Sequence, residues 1–156
     1  MRLLGVLAVA TLVACGGTND GSIDVTHDAC APLALVSAAP TDLQSAAMVD
    51  AQELWKDHGA PSLGLRAGTT LEVRFEDASP VFHGFYDDQN SIIFINRSIT
   101  DQHVMSIVIA HELGHAFGLV HISESERVSL MNPGNLSTTP TTEDQHAVEL
   151  LWGSCQ

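Results

Sequence analysis

The chain has 156 residues, which is the usual length of a single domain. Its 19 acidic and six basic residues give a formal net charge of −13. A surface of this charge repels nucleic acid and anionic lipid, so we exclude nucleic acid as a partner and basic patches as a means of membrane attachment.

The first fourteen residues have the composition of an export signal. A positively charged start is followed by an apolar run, Leu3 to Val13, which is too short to span a bilayer. The run leads into Cys15 in the sequence LVAC, which resembles the lipobox of bacterial lipoproteins. The resemblance implies cleavage before Cys15 and acylation of its thiol and amine. An ordinary signal peptide with an incidental cysteine is the alternative.

The chain has three cysteines, and an odd number in an exported protein needs an explanation. Lipidation of Cys15 leaves Cys30 and Cys155, near the two ends of the folded part. Because disulfides persist outside the cytoplasm, we predict a Cys30–Cys155 bridge. The signal peptide would then be followed by a tether over 15–29 and one domain over 30–156. We expect that domain to be held at the cell envelope, in the outer membrane or at the cell surface.

The middle of the chain alternates between strand and helix patterns. Thr41 and Gln44 have the spacing of a capping box, which predicts that a helix begins there and runs over about 42–58. Short apolar or alternating runs predict strands over 32–38, 61–66, 70–76, 81–86 and 91–96.

Two further helices follow the strands. The first runs from about 100 to 118 and is apolar around much of its circumference, so we expect it to be central and buried. The last covers about 143–152 and begins behind Thr142, whose spacing to Gln145 also suits a capping box. Together the patterns predict an α+β domain in which a twisted sheet packs against two long helices.

The second helix ends in the sequence HELGHAFGLVH. His111 and His115 are four residues apart, so on a helix both imidazoles project from one face and can share an ion. Gly118 can adopt a left-handed conformation that turns the chain, which lets His121 return to the same ion. Three histidines with a fourth position open describe a catalytic zinc site, because structural zinc sites are closed by four protein ligands.

Glu112 lies between the two helical histidines and has the position of a general base. We expect it to take a proton from a zinc-activated water and to return it to the leaving amine. The plain alternative is a solvated helix carboxylate beside three unrelated histidines.

The zinc motif is similar to the long motif of the metzincin metallopeptidases. The later segment Ser129–Pro133, SLMNP, resembles their Met-turn, most closely the matrixin form Leu-Met-x-Pro. The resemblance implies that Met131 forms an apolar floor beneath the histidines. It also implies a twisted, mostly parallel sheet with an antiparallel edge strand, and an active-site helix that ends at the zinc motif. A small lower part over about 119–156 would hold the Met-turn and the final helix.

By the same resemblance, substrate binds in extended form along an edge strand within about 81–86. Pro133 and the residues up to Leu136 would wall the pocket for the residue after the scissile bond. A latent form in which Cys30 covers the zinc, as in the matrix metalloproteinases, is an alternative to the predicted disulfide. No Pro-Arg-Cys-Gly type segment surrounds Cys30, and Cys155 would be left unpaired.

The sequence therefore predicts a monomeric zinc-dependent endopeptidase with one catalytic ion and a peptide or protein substrate. It would contact the membrane through its lipid anchor. A structural calcium or second zinc site is not evident, although His83, Asp87 and Asp88 are candidates for an ion as well as for a solvated turn. The alternative function is a non-catalytic zinc-binding surface lipoprotein. The intact Glu112 argues against it, because metal binding alone does not require that residue.

Overall fold

The computed structural model describes residues 23–24 and 26–155, so the predicted signal peptide and Cys15 lie outside the described residues. No helix in this part of the chain has both the length and the apolar character that are needed to cross a membrane. The elements in chain order are β1 (Leu33–Val36), α1 (Asp42–Lys56), β2 (Thr69–Glu76), β3 (Gly84–Asp87), β4 (Ile92–Asn96), α2 (Gln102–Ala116) and α3 (Thr142–Trp152).

The four strands form one sheet in the order β1-β2-β4-β3. β1, β2 and β4 run parallel, whereas β3 runs antiparallel to β4 at the edge, with Gly84 opposite Ile95. Along β2 the apolar side chains Leu71, Val73 and Phe75 are buried and alternate with more exposed charged residues. This arrangement confirms the predicted α+β class and the mostly parallel sheet with an antiparallel edge strand.

Helix α2 is buried along almost its whole length and lies between α1 on one side and strands β3 and β4 on the other. Trp55 of α1 fixes the contact between the helices: its ring is fully buried, and its Nε1 donates to the Ala110 oxygen at 2.8 Å. The capping box at Thr41 and Gln44 is present at the start of α1, as the sequence predicts. The Trp55 bond attaches α1 to α2 at the residue directly before His111.

Two strand predictions need correction. The segment 61–66 forms only an isolated bridge, between Leu63 and Leu33, and is otherwise a series of turns in which Gly64 has a φ of 81°. The strand predicted over 81–86 begins only at Gly84, because the Phe82 amide donates within a turn to the Ser79 oxygen at 2.9 Å. Apolar composition alone does not distinguish these turns from strands that pair in a sheet.

The capping box of α3 lies one residue earlier than predicted. Thr141 is the N-cap, and Asp144 is the partner three residues later, in place of Thr142 and Gln145. The two pairs have the same spacing. In the structure the amide of the N-cap residue Thr141 donates to the Asp144 carboxylate at 2.9 Å, which completes the capping box. Asp144 also contacts Ser129 and Leu130 of the Met-turn.

A disulfide joins Cys30 to Cys155, the pairing that the sequence predicts. It links residues separated by 125 positions and so ties together the two ends of the described domain. The Cys30 thiol is consumed in this bridge, which excludes the alternative in which it covers the metal. Trp152 adds a second tie near the carboxyl end, since its Nε1 donates to the Phe117 oxygen at 2.8 Å.

Candidate metal centre

The end of α2 and the turn that follows it place three histidines around one point. His111 and His115 lie in the last two turns of α2, which ends at Ala116. Gly118 then has a φ of 97°, in the left-handed region that glycine adopts without steric cost. The chain reverses there, and His121 returns to the two helical histidines, as the spacing predicts.

The three imidazoles meet through their Nε2 atoms. His121 Nε2 lies 3.1 Å from His111 Nε2 and 3.2 Å from His115 Nε2. Two corners of a tetrahedron around zinc, with zinc–nitrogen distances of about 2.0–2.1 Å, lie about 3.3 Å apart. The observed separations therefore fit three corners of a zinc coordination sphere.

The opposite ring nitrogens assign the tautomers. His111 Nδ1 lies 2.7 Å from the Leu130 oxygen, and His115 Nδ1 lies 2.8 Å from the Leu119 oxygen. Because a carbonyl only accepts, both Nδ1 atoms must donate, which leaves each Nε2 of the neutral rings with a lone pair facing the centre. A neutral His121 can donate one proton at most. At least two of the three Nε2 atoms therefore face each other with lone pairs, which repel. A cation removes this repulsion.

Burial also keeps the ligands in the neutral form that binds metal. It lowers the pKa of His111 to about 4 and that of His115 to about 3, although the bonds to the carbonyls oppose these shifts. Burial lowers the pKa of His121 as well. All three rings are therefore unprotonated near neutral pH, as a zinc site requires.

Glu112 is buried beside this centre, with 1% of its surface exposed. Burial raises the pKa of its carboxyl to about 8, and the hydrogen bond from the Tyr86 backbone amide opposes the shift. Strand β3 approaches Glu112 closely at Gly84, where an added Cβ would lie 2.8 Å from Oε1. A cation at the centre would lower this pKa, because it favours the ionised carboxylate.

Met131 packs against the last turns of α2. It is buried, and its sulfur packs against Gly114, which lies between the two helical histidines in the sequence. Its oxygen accepts from the Ile122 amide at 3.1 Å, which ties the Met-turn to the residue after His121. Pro133, a third predicted support residue beside Gly118 and Met131, is the last residue of this segment and is exposed.

Asp144 is the main site residue that sequence reasoning missed. Its carboxylate is fully buried and accepts hydrogen bonds from the Ser129 hydroxyl and from the Leu130 amide, the latter at 2.9 Å. The Arg127 guanidinium lies 3.7 Å away. Asp144 therefore fixes the Met-turn from α3. Its spacing from Thr141, which is that of a capping box, could have indicated it. The prediction placed the capping box one residue later, at Thr142 and Gln145.

The carboxylates of the turn between β3 and β4 are engaged in hydrogen bonds to main-chain amides. Asp87 accepts from the Gln89 and Asn90 amides, both at 3.1 Å, and Asp88 accepts from the Asp24 amide at 2.8 Å. Within 23–24 and 26–155, the three zinc-motif histidines form the one group of three or more histidine, cysteine or acidic side chains whose ligand atoms converge closely enough to hold a metal ion. The solvated-turn interpretation is the one that this geometry favours.

Comparison with known proteins agrees with this geometry. The family model described as Matrixin matches residues 18–153, which is most of the chain. No curated protein matches the chain significantly.

Proposed function

The chain belongs to the matrixin family, and from this premise we propose that it is a zinc-dependent endopeptidase with Glu112 as its general base. The family and the group of three histidines indicate a zinc metallopeptidase. The observation that carries the finer proposal is the position of a buried carboxyl, Glu112, directly beside three converging imidazoles.

The proposed reaction is hydrolysis of an internal peptide bond. Zinc, when bound by His111, His115 and His121, polarises the substrate carbonyl and increases the acidity of water. Glu112 accepts a proton from the attacking water as the carbon–oxygen bond forms. It then delivers that proton to the leaving nitrogen as the carbon–nitrogen bond breaks. A carboxyl whose pKa lies above its ordinary range is suited to holding this proton between the two steps.

We propose that substrate binds in extended form along β3. This strand pairs with β4 on one side only, and no further strand lies on its other side among the described residues. It also lies directly over Glu112, through Gly84 and the Tyr86 amide. A peptide added to this edge by main-chain hydrogen bonds would pass the metal centre. Pro133 and the following residues would wall the pocket beyond the scissile bond.

We further propose that the protein is exported and lipid-anchored at the cell envelope through Cys15, and acts there as a monomer. The support is the LVAC sequence before a glycine-containing tether, together with a disulfide that suits an oxidising compartment. Labelled palmitate should be incorporated by the parent chain expressed in a bacterium and lost in Cys15→Ser. Equal labelling of the two chains would contradict the anchor.

A non-catalytic zinc-binding lipoprotein is the competing function, and the site does not favour it. Three histidines alone would hold the ion, so a binding module has no need for a buried carboxyl that costs free energy to desolvate. The carboxyl of Glu112 is buried at that cost.

A quenched peptide library tests the proposal. The zinc-loaded parent should cleave internal bonds, and mass spectrometry of the products should separate this from removal of terminal residues. Glu112→Ala should retain zinc but lose cleavage by a factor of about 10² or more, because it lacks the group that moves the proton. Equal cleavage by the two proteins, or none by the zinc-loaded parent, would refute the proposal.

A further inference from the structure

The Leu130 carbonyl accepts two side-chain hydrogen bonds at the metal centre. One comes from His111 Nδ1 at 2.7 Å, and the other from Asn135 Nδ2 at 3.1 Å. We propose that Asn135 is a positioning residue, which fixes the Leu130 carbonyl and through it the orientation of the zinc ligand His111. The inference rests on the proposed metal centre but does not require the protein to cleave peptides.

The Asn135 amide is fully engaged, so its orientation is determined. Nδ2 also donates to the Thr138 oxygen at 2.7 Å. Oδ1 accepts from the Ser137 amide at 3.1 Å and from the Thr138 amide at 2.8 Å. With the oxygen committed to two N–H donors, the nitrogen must face Leu130. The side chain thus has two separable roles, which are to close the turn over 135–138 and to hold the carbonyl that orients His111.

The main chain around Leu130 is held from both ends. Its amide donates to Asp144 at 2.9 Å, and its carbonyl accepts from Asn135 at 3.1 Å. The peptide unit that carries this carbonyl is also held by its other end, because the Met131 amide donates to the Ser129 hydroxyl at 2.9 Å. Rotation of the carbonyl away from His111 would therefore break the bonds from Asn135 and from the Met131 amide. Partners that orient a metal-ligating histidine typically affect metal affinity by about ten- to a hundredfold.

Asn135 also connects two parts of the proposed active site. It lies in the segment after Pro133 that we propose as the wall of the substrate pocket, and Leu136 beside it packs against the core. A displacement of this wall would reach His111 through one amide group. His115 does not share this connection, because its Nδ1 donates to Leu119 before the Met-turn. His115 is therefore an internal control.

Asn135→Asp separates the two roles of the side chain. The carboxylate can still accept from the Ser137 and Thr138 amides, which are the two bonds to its oxygen that close the turn, but it cannot donate to the Leu130 oxygen or to the Thr138 oxygen. We expect zinc affinity, measured by competition with a chelator, to fall by about ten- to a hundredfold. Asn90→Asp adds the same charge to an exposed turn and should keep the parent affinity.

Proton NMR of the cobalt-loaded protein tests whether the effect acts through His111. The exchangeable Nδ1–H signal of His111 should shift, or exchange faster with solvent, in Asn135→Asp, while that of His115 stays unchanged. If Asn135→Asp does not fold, Asn135→Ser keeps an acceptor for the turn, is too short to reach Leu130, and should show the same changes.

Parent zinc affinity together with an unchanged His111 signal, in whichever variant folds, would overturn the proposal and leave Asn135 as a turn residue only. Neither measurement depends on peptide cleavage. If the parent binds zinc but cleaves no peptide, and the Asn135 variant loses zinc affinity as predicted, the peptidase function is refuted and this inference still stands.

Discussion

At the scale of single residues, the metal centre depends on side chains that are buried in their neutral forms. Hydrogen bonds to main-chain oxygens orient His111 and His115, and burial holds their pKa values well below the ordinary range. Burial acts on Glu112 in the opposite direction and raises the pKa of its carboxyl. These opposed shifts make the stability of the metal-free protein depend on pH.

Each shift has a defined window. His111 and His115 titrate near 6.5 when unfolded but at about 4 and 3 when folded, so stability falls as pH drops below about 6.5 and continues to fall towards those values. Glu112 titrates near 4.5 when unfolded and at about 8 when folded, so its contribution is full below 4.5 and is lost as pH rises towards 8. Between about pH 4.5 and 6.5, unfolding adds a proton to each of these histidines and removes one from Glu112. Glu112 therefore cancels the contribution of one histidine to the pH dependence of stability.

Glu112→Gln should remove that offset. We expect the free energy of unfolding of the metal-free variant to fall more steeply with acid between pH 4.5 and 6.5. The difference from the parent should approach 1.4 kcal/mol per pH unit, or about one proton. Urea unfolding of chelator-treated proteins at several pH values measures this difference. Parallel pH profiles for the two proteins would show that the folded carboxyl is ionised.

At the scale of elements, sequence patterns predicted what depends on local periodicity. The three helices, strand β2 and the turn at Gly118 follow from apolar spacing, capping residues and glycine, which act within a few positions. The histidine cluster was predictable for the same reason, since i and i+4 residues share a helix face.

The supports around the centre were not predictable in this way. Asp144 and Leu130 are fourteen positions apart, and nothing in either local pattern indicates that they meet. Asn135 and its connection to His111 were missed for the same reason, because the Leu130 carbonyl that joins them is a main-chain group. The bend at Ser79 and Phe82 also depends on backbone geometry that apolar composition does not encode.

Asp144 connects α3 to the Met-turn, so its replacement should loosen both. In Asp144→Asn, an NH2 group replaces one of the two carboxylate oxygens, so either the Ser129 hydroxyl or the Leu130 amide loses its acceptor and faces a donor. We expect the free energy of unfolding to fall by about 2–4 kcal/mol, as measured with urea. The exposed neighbour Glu143→Gln is the control and should change it by less than about 1 kcal/mol. Equal effects of the two substitutions would mean that Asp144 only caps the helix.

At the scale of the whole molecule, the disulfide joins the two ends of the described domain. It closes a loop across 125 positions, for which the chain-entropy model gives an upper value of about 5 kcal/mol. The double variant Cys30→Ala, Cys155→Ala should unfold with a free energy lower by about 2–5 kcal/mol. Adding reductant should destabilise the parent similarly and leave the double variant unchanged. A parent that is insensitive to reductant, and no less stable without the cysteines, would contradict this role.

The net charge of −13 is also a property of the whole surface. A surface of this charge is not attracted to anionic lipid. In the proposed anchor, the hydrophobic acyl chains would therefore hold the domain at a membrane. Under this proposal the metal centre would operate at the end of a tether, and its substrates would be peptides that can reach it there.

One titration tests the central claim most directly. Zinc is added in steps to the chelator-treated parent and to Glu112→Gln, while bound zinc and cleavage of a peptide substrate are measured in the same samples. We predict that both proteins bind one zinc per chain, that parent cleavage rises in proportion and saturates at one equivalent, and that Glu112→Gln remains about 10²-fold or more below it. Cleavage by the parent without zinc, or equal cleavage by zinc-loaded Glu112→Gln, would contradict the account.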